Sequence, residues 1–357
     1  MEFLFPLIIR ILVPAALAFM LGMLITPIVS HYLYRFKAWK KIPGKTSLDG
    51  TIATEFNRLH QINEMRAPRM GGIVVWVSVL LTITGIDTLA QTFQNTTILK
   101  LDFLSRSQTL IPVTTLIIGA IAGLVDDILV IRPGGQGLRL RWRLLVVIAA
   151  SLAIGLWFYL KLDINAVNVP FAEPLIIGWL VVPLFVCISL SLYASGVIDG
   201  IDGLSGGVFA SIFASYAIIA FAQNQMDLAA FSMAVVGALL AFLWFNIPPA
   251  RFYMSDTGTM ALTLTIGAIA FMTDVLGGGY GISVLPIIGG LLVITVASDI
   301  LQIIWKRVFG RKLLRIAPLH HHFEAVGWSG AKIVMRYWIM SIVFAALGVI
   351  LALSALH

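Results

Sequence analysis

The sequence predicts an all-α fold: a polytopic membrane protein with about ten transmembrane helices and both termini extracytoplasmic. Three observations carry this expectation. Of the 357 residues, 59% are apolar and only 11% charged, whereas soluble domains carry about 25% charged residues. The apolar residues gather into runs of the length that crosses a bilayer, about 17 to 25 residues. The basic residues between those runs alternate in density from loop to loop, as positive-inside topology requires.

In order, the apolar runs fall near 7–30, 70–90, 108–125, 144–160, 174–196, 205–222, 228–246, 259–276, 281–305 and 335–356. Met1 to Arg10 lacks a basic n-region and the following run continues to Ile28, so the first run is expected to span rather than to be a cleaved signal. Of the 24 basic residues, all but Arg10, Lys100, Arg106 and Lys161 lie in or just beside the odd-numbered loops. The first loop holds Arg35 to Arg69, including Lys45, Arg58 and Arg66. The third holds Arg132 to Arg143, the seventh Arg251, and the ninth Lys306 to Lys332. These loops are therefore expected in the cytoplasm. The net charge of +7 is then topogenic, and no nucleic-acid partner is implied. The lone Cys187 excludes a disulfide scaffold.

This topology sorts the carboxylates. Asp126 and Asp127 end the third run in Gly123-Leu124-Val125-Asp126-Asp127. Asp199 and Asp202 lie in Asp199-Gly200-Ile201-Asp202-Gly203, and Asp256 in Met254-Ser255-Asp256-Thr257-Gly258. All five are expected at the cytoplasmic face, whereas Asp87, Asp102, Asp163, Glu173, Asp227 and Asp274 read as solvated charges of the outer side. Ionisable groups at the membrane edge are costly and mark sites by default. Five of them flanked by glycines suit a phosphate and its metal, and the hard, oxygen-seeking Mg²⁺ fits that donor set. The bland alternative for Asp126 and Asp127 is helix capping in the headgroup layer. Arg132-Pro133-Gly134-Gly135-Gln136-Gly137 and Gly200 to Gly207 read as turns, and Arg143 is a candidate phosphate contact.

The ninth loop contains Pro318-Leu319-His320-His321-His322-Phe323-Glu324. Adjacent histidines suggest a transition metal, yet three neighbours on a loop cannot readily face one ion and no cysteine joins them. Hydrogen bonding to a polar anionic substrate fits the basic neighbours Arg311, Lys312 and Arg315 better.

Five ordered motifs, at 123–127, 199–207, 242–246, 254–258 and 317–328, resemble the phospho-N-acetylmuramoyl-pentapeptide transferases of the polyprenyl-phosphate N-acetylhexosamine-1-phosphate transferase superfamily. The resemblance runs from about Arg66 to Ser341. It implies a glycosyltransferase family 4-like enzyme in a bacterial-type cytoplasmic membrane. Such an enzyme moves a phospho-sugar from a UDP-linked amino sugar to a polyprenyl phosphate, with Mg²⁺, and releases UMP. It also implies one integral membrane domain over 1–357. The active site is then built from loops near 58–72, 126–143, 196–207, 246–258 and 306–334, and a homodimer is compatible with it.

By the same likeness Asp126, Asp127 and Asp256 are catalytic, Asp126 and Asp127 acting on the lipid phosphate. Asp256 with Asp199 holds the metal. Asn246, Asp199, Asp202, Tyr253, His320, His321, His322 and Arg143 bind substrate, Tyr253 by stacking on uracil. The chain departs from the family pattern in three places: Val130 stands where a lysine is expected, Gly196 where an asparagine is, and Arg66-Ala-Pro-Arg69 replaces Gly-Thr-Pro-Thr. Glu64 also stands near an expected lysine, and Arg69 or Arg143 is the candidate replacement charge. Two other readings stay open: the same reaction on another UDP-N-acetylhexosamine, such as UDP-N-acetylglucosamine, and a non-enzymatic ion-binding membrane protein.

Overall fold

In the computed structural model every long apolar run is a helix, because a chain in hydrocarbon must satisfy its backbone within each segment. The structure describes residues 4–41, 57, 67–93, 96–135 and 137–356. Lys45, Arg58, Glu64, Arg66 and Gln136, all named above, lie outside the described residues.

The helices are α1 (Leu4–Arg35), α2 (Gly72–Phe93), the short α3 (Thr96–Leu101), α4 (Leu110–Ile131), α5 (Leu140–Lys161) and α6 (Val181–Ser195). They continue as α7 (Leu204–Ala222), α8 (Met226–Asn246), α9 (Ser255–Met272), α10 (Gly281–Ile288), α11 (Gly290–Phe309), the short α12 (Leu319–Ala325) and α13 (Gly330–Ser354). The only strands among the described residues are β1 (Ala166–Val167) and β2 (Leu175–Ile176), an antiparallel pair between α5 and α6.

Eight helices among the described residues are long and apolar enough to cross a membrane, or nine with α10 and α11 taken as one broken span. That pair bends by 67° at Gly289-Gly290, with Pro286 in the preceding turn. Small residues and proline are the ordinary causes of such a kink. The remaining expected span is α9. Its 18 residues include Asp256 and four threonines, and it is not among the helices apolar enough to cross a membrane. It is instead surrounded by protein, and every residue from Thr257 to Met272 is buried.

α7, α8 and α9 form the centre. α7 and α8 are apolar nearly all round, as buried helices are, and Phe209, Phe213, Phe231, Phe242 and Phe271 are fully enclosed. α4 packs along α9, α1 along α8, and α13 against α7 and α10. Outer helices turn large apolar side chains such as Leu24, Ile121, Leu145, Ile303 and Ile342 outward.

Two element boundaries differ from the sequence reading, and both shape the site. α4 does not stop at Asp126 and Asp127 but continues to Ile131, so the pair lies inside the helix with no exposed surface. Glycine at 206 and 207 belongs to α7 rather than to a turn, which ends at Gly203. The indole of Trp338 on α13 packs over Gly207 and donates to the Gly203 carbonyl (3.1 Å).

Candidate active site

Close helix approach brings the carboxylates together. A Cβ at Gly123 would collide with the backbone of Asp256 and Thr257, and one at Gly119 would meet the Met260 carbonyl oxygen at 2.5 Å. With glycine at both positions α4 lies directly on the first turns of α9. Asp126 and Asp127 follow Gly123 on α4 and thereby reach Asp256, and ligand oxygens of the three lie within 4.8 Å of one another.

The entry to α9 is fixed from a second side by the segment before α2. The Tyr253 N–H donates to the Pro68 carbonyl (2.9 Å), Gly71 to Tyr253 (2.7 Å) and Gly72 to Met254 (3.1 Å). Met70 and Ser255 adopt positive φ, +67° and +57°, a region that non-glycine residues occupy at a cost and mostly where surroundings enforce it. The strained pair flanks the carboxylates: Ser255 precedes Asp256, and Met70 follows Arg69.

Each aspartate is held differently. Asp127 accepts from the Thr257 N–H (3.0 Å) and hydroxyl (2.6 Å) on one oxygen and from Arg69 Nε (2.9 Å) on the other. Asp126 accepts from the Leu138 N–H (2.6 Å) and pairs with Arg143 (2.7 Å). Asp256 is partly exposed, and both guanidinium groups approach its Oδ2, Arg143 at 3.4 Å and Arg69 at 3.5 Å. Burial works against the charge of Arg69, yet Asp127 and Asp256 outweigh it and hold the guanidinium above its ordinary range.

Asp199 is not one of the three clustered carboxylates. It accepts from the Ser205 hydroxyl (2.7 Å) and the Ser255 N–H (2.8 Å), tying the 199–203 turn to the start of α9. Burial pushes its carboxyl up, against those two hydrogen bonds. Asp202 accepts from the Ala250 N–H (2.9 Å). Asn246 is buried and bridges two segments, accepting from Gly203 N–H (2.9 Å) and donating to the Phe252 carbonyl (2.8 Å). Tyr253 is half-buried beside them.

The three histidines lie on a helix, α12, rather than on an open loop. Their side chains diverge accordingly. His320 and His321 are buried against Gly200, where a Cβ would stand 2.7 Å and 2.5 Å from their Nε2 atoms. His321 Nδ1 lies 2.7 Å from Glu324 Oε2. His322 turns away, its Nδ1 accepting from the Arg315 N–H (3.2 Å). Sequence reasoning had no signal for the roles of Thr257 and Leu138, which act through tertiary contacts; the i,i+3 spacing of His321 and Glu324 could have found theirs once the segment was read as a helix.

Beside Asp126 a cavity of about 350 Å³ opens between α4, α5 and α9, lined by Ile118, Ile121, Val125, Leu138, Val146 and Met260, with Arg143 at its polar end.

Comparison with known proteins agrees with the five motifs. Residues 109–274 match the model of glycosyl transferase family 4. The phospho-N-acetylmuramoyl-pentapeptide-transferase of Bacillus velezensis is 33% identical over 343 residues, covering 95% of this chain and 97% of the relative. Those of Bacillus subtilis (32% over 342 residues) and Halalkalibacterium halodurans (32% over 349 residues) cover 95% and 96% of the chain and 97% of their own lengths.

The chain belongs to the phospho-N-acetylmuramoyl-pentapeptide-transferase family. It is a membrane-embedded transferase of the glycosyltransferase 4 type. Two of the positions noted in the sequence, Val130 and Gly196, can be placed in the structure. Val130 is buried on α4, and the guanidinium of Arg143 supplies the charge beside Asp126. At Gly196 a Cβ would stand 3.3 Å from Thr259 Cβ and Oγ1, a close contact that a larger residue could make only if Thr259 gave slightly. The clustered donors are all carboxylate oxygens, one of them on the partly exposed Asp256, and a hard divalent cation such as Mg²⁺ fits that set.

Proposed function

We propose that this protein transfers phospho-N-acetylmuramoyl-pentapeptide from its UDP-linked donor to undecaprenyl phosphate at the cytoplasmic face of a bacterial inner membrane. The products are lipid I, for peptidoglycan synthesis, and UMP. The observation that carries the reading is the meeting of two unlike environments at Asp126. An apolar cavity beside the candidate spans α4 and α5 ends on a carboxylate and a guanidinium, which suits a lipid whose chain stays in hydrocarbon while its phosphate reaches water-borne chemistry.

In this reading the isoprenoid chain follows Ile118, Ile121 and Val125, and Arg143 receives the lipid phosphate beside Asp126. An oxygen of that phosphate attacks the sugar-bearing phosphorus of the donor, and the bond to the UMP oxygen breaks. Asp126 borders the cavity and is the carboxylate placed to take a proton from the lipid phosphate. Asp127, saturated by Thr257 and Arg69, holds the geometry of the triad. Asp256 would hold Mg²⁺, which when bound neutralises phosphate charge and the charge building on departing UMP. Asp199, Asp202 and Asn246 set the turn and the entry of α9 through the hydrogen bonds above, and Tyr253 offers a ring for the uracil. His320 and His321, backed onto Gly200, face the donor side.

The histidine motif favours the muramoyl-pentapeptide donor over UDP-N-acetylglucosamine, and the named relatives agree. The test is UMP release by the purified protein with undecaprenyl phosphate, Mg²⁺ and a panel of UDP-sugars. Turnover of UDP-N-acetylmuramoyl-pentapeptide alone is the expected result. Equal or faster turnover of UDP-N-acetylglucosamine would transfer the assignment to the alternative donor.

A further inference from the structure

Three carboxylates whose oxygens lie within 4.8 Å of one another repel strongly at the low effective dielectric of a half-buried site. Two guanidinium groups offset that repulsion, and they arrive from separate elements: Arg69 from the segment before α2 and Arg143 from α5. Toward the carboxylates each makes one short and one long contact, and Arg143 is further held by Nε donating to the Leu138 carbonyl (3.1 Å) and by the Tyr193 hydroxyl. Arg69 stands 2.9 Å from Asp127 and 3.5 Å from Asp256; Arg143 stands 2.7 Å from Asp126 and 3.4 Å from Asp256. Both long arms end on the same atom, Asp256 Oδ2. The short arms end on carboxylates with no side-chain exposure, while Asp256 is 23% exposed.

The carboxylate of the triad most open to an incoming cation is thus the one that the two longer guanidinium contacts already share. A divalent ion at Asp256 Oδ2 and two arginine N–H groups on that same oxygen exclude one another by charge. The short contacts to Asp126 and Asp127 need not break when the long ones do. Each guanidinium would then keep its anchor and turn free N–H donors outward, in the planar fork that matches phosphate oxygens.

We propose that Arg69 and Arg143 are a displaceable counter-charge: they neutralise the aspartate triad, compete with a divalent cation for Asp256, and pass to substrate phosphate when the cation enters. This rests on the assignment of Asp256 as a metal-holding residue, and it gives Arg69 a role beyond replacing a missing lysine. The device makes metal and phosphate entry favour one another, because phosphate takes up the arms that metal releases.

The sign of one measurement separates this role from a structural one. Mn²⁺ binding to the purified full chain, followed by electron paramagnetic resonance without substrate, should tighten about tenfold in Arg69→Met and in Arg143→Met. In the same variants kcat/KM for the UDP-linked donor should fall. Arg69→Lys keeps the charge but not the two-carboxylate fork, so it should tighten Mn²⁺ binding by a smaller factor, and it serves where the methionine variant does not fold. Asp256→Asn should abolish this binding, leaving the spectrum of free Mn²⁺ at full intensity. Unchanged or weakened Mn²⁺ binding in arginine variants that unfold at the wild-type temperature overturns the proposal. A wrong donor assignment would leave the Mn²⁺ shifts intact and abolish only turnover of that donor, so the two failures are distinguishable.

Discussion

Glu324 Oε2 lies 2.7 Å from Nδ1 of His321, three residues away on one face of α12, and Nε2 of the same ring backs onto Gly200. A carboxylate on one nitrogen fixes the tautomer and the ring orientation at the other. Glu324 is therefore a positioning residue for His321. Glu324→Gln should lower kcat/KM for the donor, and His321→Ala should lower it further, by the about 1.5–3 kcal/mol expected of a lost hydrogen bond to a charged group. The KM for undecaprenyl phosphate should barely move. A change confined to the lipid's KM would remove these residues from the donor side.

Removal of the metal-holding group gives a second outcome. Asp256→Ala should abolish UMP release while leaving the thermal unfolding temperature close to wild type, because Asp256 is partly exposed and bears no core packing. EDTA should have the same effect on the wild-type enzyme. Turnover that survives in EDTA or in the variant contradicts the assignment.

The α4–α9 contact is testable through Gly123. Valine there must push Asp256 and Thr257 away, so the variant should lose about 1–3 kcal/mol of stability from overpacking. It should also lose about a hundredfold in kcat, since misplacement by about 1 Å has that cost. Chemical unfolding and UMP release measure the two. Full activity in Gly123→Val would show that the triad is not held by this approach.

Orientation in the membrane is an expectation from charge alone and has its own check. Cys187 is exposed on α6, so it is first replaced by serine. A cysteine at Ser329, which caps α13, should then be labelled by an impermeant maleimide only from the cytoplasmic side. Labelling from outside would invert the topology and the site with it.

Apolar run length by itself determined the helices, because hydrocarbon forces each spanning segment to close its own hydrogen bonds, and nine of the ten expected runs reappear as spans or as one broken span. Part of the acidic cluster was legible too: costly carboxylates near the end of an apolar run mark a candidate site, and three of the five named aspartates, Asp126, Asp127 and Asp256, do meet. What the sequence did not contain is which carboxylates meet. Asp199 and Asp256 are equivalent in one dimension, but the glycine-lined approach of α4 to α9 joins Asp126 and Asp127 to Asp256 and leaves Asp199 to Ser205 and Ser255. Nor could it show that α4 runs past its aspartates or that the histidines lie on a helix against Gly200. Those outcomes depend on contacts between residues more than a hundred positions apart, such as Thr257 with Asp127 and Trp338 with Gly203. Local propensity and periodicity carry no record of such pairs, and packing alone selects them.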